Sequence, residues 1–195
     1  SRIYHSGAAA QRIETAIRDT LGAPQSAEAE VVVMVRIEDD ICTISVDTSG
    51  EPLHKRGYKQ ALNPAPMRET MASLFLRECG YDGAEPLVDP MCGSGTFVIE
   101  AAEIAARLNP GRARRFAFEQ LATFDAAAWG AMRGVNRRRA PVALCHGSDR
   151  DAGAIEMSRA NAERAGVAEG TAFRQAPISE SAPPAGPPGL VIVNP

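Results

Sequence analysis

"VDPMCGSGTF", Val88 to Phe97, sets a proline, a cysteine and two glycines between a short apolar run and the apolar positions of a helix. A buried run, a carboxylate and a Gly-x-Gly turn describe a strand that ends on a ligand-facing loop and re-enters as a helix. A dinucleotide fingerprint requires a third glycine three residues after the second. Val98 stands there, which weakens the case for a diphosphate. Exposed amides at the start of the following helix favour an anionic group. Asp89 beside them favours a cationic one. A ligand carrying both signs, such as an amino-acid moiety, suits the pair.

Outward from this loop, strands and helices alternate. "PLVD" (86–89), "PVALCHGSD" (141–149), 171–175 and 190–193 read as strands. Met67 to Leu76, Thr96 to Arg107, Asp125 to Asn136 and Ala152 to Ala165 read as helices. This alternation predicts an α/β fold, a parallel sheet with helices on both faces. In such a sheet the second strand ends at Ser148-Asp149, where a carboxylate can accept both hydroxyls of a ribose. Asp151 is the next candidate for that task. Amino acid, ribose and loop together describe S-adenosyl-L-methionine.

Upstream the texture differs. Ala8 to Leu21 repeats Ile13, Ile17 and Leu21 at helical spacing before Gly22, and "VVVMVRI" and "ICTISVD" read as a hairpin around Glu38-Asp39-Asp40. Residues 51–66 mix Gly, Pro and basic residues without period, as a linker does. The chain's 195 residues are 45% apolar with a net charge of −3, enough for a packed core and too acidic for a globally basic nucleic-acid binder. Four dispersed cysteines (Cys42, Cys79, Cys92, Cys145) and histidines without ligand spacing predict neither a disulfide framework nor a metal site. No apolar run approaches membrane length, so a cytoplasmic location is expected. A strand leading straight into Pro195 suggests a chain cut at its end.

Six blocks in order then carry a resemblance: "LHKRGY" (53–58), "APMRET" (65–70), "DPMCGSGTFVIEAA" (89–102), "GSDRDAGAI" (147–155), "ANAERAGV" (160–167) and "VNP" (193–195). They resemble the THUMP-containing RNA guanine-N2 methyltransferases, in the bacterial branch that acts on large-subunit ribosomal RNA. The resemblance implies a Rossmann-like class I methyltransferase domain over 67–195 and a linker over 51–66. Residues 1–50 would then be the C-terminal part of an α+β THUMP domain that presents RNA. It also implies that Asp89, Pro90, Cys92, Gly93, Gly95 and Thr96 line the methionine side of the cofactor, with Asp149 on the ribose. Asn194 and Pro195 correspond to the start of the family's Asn-Pro-Pro-aromatic motif. Because the chain ends inside that motif, little methyl transfer is expected from it alone.

The chemistry suits the motif. An exocyclic amine has its lone pair delocalised into the ring, and hydrogen bonds to an Asn oxygen and a proline carbonyl can aim it at the methyl without a strong base. Transfer RNA is the close alternative substrate. DNA adenine N6 shares the motif, and a non-catalytic RNA-binding module is the alternative of another class. Cys92 has no base nearby in sequence and reads as packed rather than nucleophilic. His54, Lys55, Arg56 and Tyr58 interleave basic and aromatic groups and are the RNA-contact candidates. The arginine runs at 112–115 and 133–139 fit either helix ends or phosphate contacts. "FRQAPIS" offers Ala176 and Pro177 where the family usually has an acidic residue for adenine.

Overall fold

The computed structural model describes residues 5–60, 67–135, 138–140 and 143–194. Two compact units result: Ser1–Pro52 with Arg115–Trp129, and Leu53–Arg114 with Gly130–Pro195. Among the described residues no helix is long and apolar enough to cross a membrane.

In the smaller unit, helix α1 (Ser6–Leu21) stops at Gly22, whose left-handed φ of 66° lets its N–H reach the Arg18 carbonyl. Strands β1 (Val32–Glu38) and β2 (Ile41–Asp47) pair antiparallel from Val32↔Asp47 to Glu38↔Ile41. Asp39 and Asp40 turn between them with φ of 48° and 63°, the doubly positive geometry that matches strand twist. The segment 115–129 joins this unit although it lies between elements of the larger one. Phe118 N–H donates to the Thr48 carbonyl, and the Phe118 and Trp129 rings meet edge to face at 4.9 Å.

The larger unit is a parallel four-stranded sheet in the order β5-β4-β3-β6. Its strands are β3 (Leu87–Asp89), β4 (Cys145–Asp149), β5 (Thr171–Gln175) and β6 (Leu190–Val191). Chain order runs outward from β3 to β5 and then returns to the other side of β3, so the direction reverses between β3 and β6. Such a reversal opens a crevice beyond the carboxyl ends of the two strands, where open α/β sheets bind ligands. Strand β6 is shorter than the apolar run predicts, and among the described residues it pairs with β3 alone. Ile192 N–H still reaches the Val88 carbonyl at 3.0 Å.

Helix α3 (Thr96–Ala105) packs between α2 (Glu69–Glu78) and α5 (Ala152–Ala165) and on the strands. Phe97, Val98, Ile99, Ala101, Ala102 and Ala105 are all buried. Glu100 and Glu103 interrupt that apolar sequence and are buried too. Buried carboxylates are costly unless paired, and here arginines from two other segments meet them: Arg56 to Glu100 at 2.9 Å, Arg112 to Glu103 at 2.5 Å.

The arginine runs serve helix ends. Arg112 and Arg138 donate to the Ala165 and Gly166 carbonyls at the end of α5, and Arg139 to the Ala105 carbonyl at the end of α3. Cations at helix C-termini complement the unsatisfied carbonyls and the dipole there. Helix α4 (Ala126–Gly134) precedes this cluster, and Arg133 donates to the Arg112 carbonyl.

Candidate cofactor and catalytic site

Strand β3 delivers Asp89 to the crevice, and the loop that follows folds back on β4. Cys92 N–H donates to the Ser148 carbonyl at 2.9 Å, and Gly95 N–H closes a turn on the Cys92 carbonyl at 2.8 Å. Ser158 Oγ and Asn161 Nδ2, both on α5, donate to the carbonyls of Gly93 and Ser94. Three backbone groups of the loop, the Cys92 N–H and the Gly93 and Ser94 carbonyls, are thereby satisfied by its neighbours. Gly95 has φ of 83°, and a Cβ there would meet Ser158 at 3.0 Å and Phe173 at 3.2 Å. A Cβ on Gly147 of β4 would meet Phe173 at 2.8 Å and the Cys92 sulfur at 3.0 Å. Both glycines are required by close packing of loop, strand and helix.

Asp149, at the end of β4, holds the loop from below. One carboxylate oxygen accepts from Gly93 N–H at 3.0 Å, the other from Asp151 N–H at 2.9 Å. Each oxygen keeps a second lone pair. Asp151 caps α5, accepting from Gly153 and Ala154 N–H, so its carboxylate is spent on the helix.

Asp89 is 2% exposed; its Oδ1 accepts from Met91 N–H at 3.0 Å, and among the described residues Oδ2 accepts no bond. Burial pushes its carboxyl up to about 7, with Asp149 adding to the rise and the Met91 hydrogen bond opposing it. A buried carboxylate short of a partner suits a ligand ammonium. Nearby, the first α-helical bond of α3 is from Ile99 to the Gly95 carbonyl. The N–H groups of Thr96, Phe97 and Val98 therefore stay available to an anion. Acid and amides together fit the zwitterionic end of an amino acid.

The remaining sequence candidates separate. Pro90 and Cys92 are buried beside the loop, and burial pushes the Cys92 thiol up to about 12, a packed group and no nucleophile. Asn194 follows the end of β6 and is exposed. Pro195 lies outside the described residues. His54 is half-buried and Lys55 exposed. Arg56 and Tyr58 require a correction. Both are buried, and both bind Glu100, Arg56 by its guanidinium and Tyr58 by its hydroxyl at 3.1 Å. The charge that suggested an RNA surface answers a buried carboxylate instead. Sequence reasoning also passed over Lys59, whose ammonium donates to the Thr96 hydroxyl at 2.8 Å and the Met67 carbonyl at 2.7 Å.

Residues 56–195 match the RMKL-like methyltransferase domain. The chain belongs to that family. The chain is 38% identical over 177 residues to the ribosomal RNA large subunit methyltransferase K/L of Vibrio campbellii, an overlap of 85% of this chain and 25% of that protein. With the enzyme of the same name from Psychromonas ingrahamii it is 41% identical over 180 residues, 88% of this chain and 24% of the other. The chain therefore spans about a quarter of the length of these curated relatives. Among solved structures, SMU.472, assigned as a methyltransferase and crystallised with SAH, superposes with a TM-score of 0.84 at 29% identity, over 97% of this chain and 51% of that one. A Listeria monocytogenes protein described as a predicted N6-adenine-specific DNA methylase gives 0.80 at 32% identity, over 97% and 50%. The RMKL-like domain thus has a methyltransferase fold.

Proposed function

We propose that this RMKL-like domain transfers methyl from S-adenosylmethionine to N2 of guanine in RNA, with large-subunit ribosomal RNA as substrate. The observation that supports the reading is the buried, half-partnered Asp89 at the end of β3, next to the strand-order reversal between β3 and β6, in a chain whose relatives bear ribosomal RNA methyltransferase names. When bound, the cofactor supplies an electrophilic methyl on a sulfonium. Asp89 takes the ammonium of its amino-acid end, the amides of Thr96, Phe97 and Val98 its carboxylate, and the free lone pairs of Asp149 its ribose hydroxyls. Gly93, Gly95 and the backbone of Cys92 let the chain approach closely. The Asn194 side-chain oxygen accepts from the guanine amine and, with the Pro195 carbonyl, aims the nitrogen lone pair. Residues 1–50 are proposed as the C-terminal part of a THUMP module, 51–66 as the linker and 67–195 as catalytic. With Arg56 and Tyr58 buried, His54 and Lys55 remain as linker groups for RNA.

A second reading, transfer to adenine N6 in DNA, is favoured by the description of the Listeria relative and by the same Asn-Pro chemistry. Competition for label between undermodified ribosomal RNA and duplex DNA separates them: RNA labelling supports the first reading, and DNA labelling alone would replace it.

Two expectations test the cofactor cradle. Asp149→Ala loses the ribose acceptor and the Gly93 brace together, so SAH affinity measured by calorimetry is expected to fall about tenfold or more, charge-assisted bonds contributing roughly 1.5–3 kcal/mol each. RNA affinity is expected to change far less, and unchanged SAH binding would reassign Asp149. The second concerns pH. Asp89 in the folded protein holds its proton up to about 7, well above an unfolded carboxyl. Its burial therefore stabilises the apo fold below the unfolded pKa and loses that contribution as pH rises through the folded one. The carboxylate formed by that rise binds the ammonium. SAH affinity is expected to increase several-fold from about pH 6 to about pH 8, and the slope to vanish in Asp89→Asn. A flat profile in the parent protein would remove Asp89 from ammonium binding.

A further inference from the structure

Lys59 is half-buried, and its ammonium touches only neutral oxygens, the Met67 carbonyl and Thr96 Oγ1. Among the described residues no carboxylate lies within ion-pairing distance of it. Burial lowers its pKa, while Glu69 and Glu100, farther off, partly restore it. A cation removed from water without a counter-ion costs free energy that a ligand anion can return. Its place in the fold says which anion. Thr96 opens α3, and its hydroxyl, having accepted from Lys59, still has a proton to donate. The amides of the first turn are free beside it. Across the same loop Asp89 is buried with one oxygen unpartnered, so the site already presents an acceptor for the positive end of a zwitterion.

We infer that Lys59 is the counter-ion for the carboxylate of the cofactor's amino-acid end, a role that rests on the S-adenosylmethionine reading. The third N–H of its ammonium and the Thr96 hydroxyl converge with the α3 amides on that carboxylate. The residue comes from the segment that precedes β3, so the cofactor site is completed by the strap rather than by the sheet. That strap is held in place by independent contacts: Arg56 and the Tyr58 hydroxyl on Glu100, and Arg164 Nε on the Tyr58 carbonyl at 2.7 Å. Their presence means that removal of the Lys59 charge leaves the strap seated.

The test compares two ligands in the full-length protein. SAH carries the carboxylate; 5′-methylthioadenosine keeps adenine, ribose and sulfur but lacks the amino-acid end. By calorimetry, Lys59→Met is expected to weaken SAH about tenfold or more, the worth of one charge-assisted contact, and to leave 5′-methylthioadenosine unchanged. Lys59→Arg, which keeps the charge, is expected to recover most of the SAH affinity. Equal weakening of both ligands would show that Lys59 only supports the fold, and no weakening of either would show that it faces no ligand; each result overturns the inference. Failure of the parent protein to bind either ligand would instead overturn the cofactor reading, and this inference with it.

Discussion

Alanine at Asn194 is expected to slow single-turnover methyl transfer by about 100-fold or more while SAH affinity stays within about twofold. The asymmetry follows from position. Asn194 stands beyond β6, whereas the groups proposed to hold the cofactor come from β3, β4, the start of α3 and, at Lys59, the segment before α2. In the proposed role its oxygen would meet the substrate amine as nitrogen loses its planarity, an interaction stronger in the transition state than in the ground state. Loss of such a contact lowers kcat and kcat/KM together. The side chain is exposed, so folding is expected to survive. Asn194→Asp keeps an acceptor and should retain more activity than alanine. Equal rates for alanine variant and parent would remove Asn194 from catalysis and favour a non-catalytic RNA-binding module.

The largest effect on stability is expected at Glu100. The carboxylate is 1% exposed and meets both the Arg56 guanidinium and the Tyr58 hydroxyl. Burial pushes its pKa up to about 8, against the pull of Arg56. Glu100→Ala strands a buried guanidinium and is expected to cost about 3–5 kcal/mol in urea unfolding. Arg56→Met with Glu100→Leu, which removes both charges and keeps volume, is expected to recover most of that loss, because desolvation of a buried pair consumes much of its attraction. A single-variant cost below about 1 kcal/mol would show the pair to be solvated, as surface pairs are.

The loop was legible because its information is local. Asp89, the two glycines and the apolar helix that follows lie within a dozen residues, and each demands a backbone or charge environment that few folds supply. The positions of Asp149 at the end of β4 and Asn194 after β6 were legible once the alternation of strands was read. Charged residues were harder. Arg56 and Tyr58 look like surface groups in sequence, and only the fold brings them to Glu100, which is 42 residues from Tyr58. Arg112, Arg138 and Arg139 fit helix ends or phosphate contacts equally in sequence, and the fold brings them to the ends of α3 and α5. The sequence pattern of α3, apolar except for two glutamates, held the complementary signal: a wholly buried helix with two acids requires two cations from elsewhere. The brace that Asp149 gives the loop is one that no spacing reveals, because Gly93 is 56 residues away in sequence. The segment 115–129 shows no periodic signature for the unit it joins, since the backbone hydrogen bonds of Ala117 and Phe118 to the Ser49 and Thr48 carbonyls, not a strand or helix face, attach it there.

The central claim is that this crevice directs a methyl group to a guanine amine in RNA. Full-length protein should be incubated with methyl-tritiated S-adenosylmethionine and large-subunit ribosomal RNA from cells lacking the modification, and the RNA then digested to nucleosides. The account predicts label in N2-methylguanosine; label in N6-methyladenosine, or in no nucleoside under conditions where SAH binds, would contradict it.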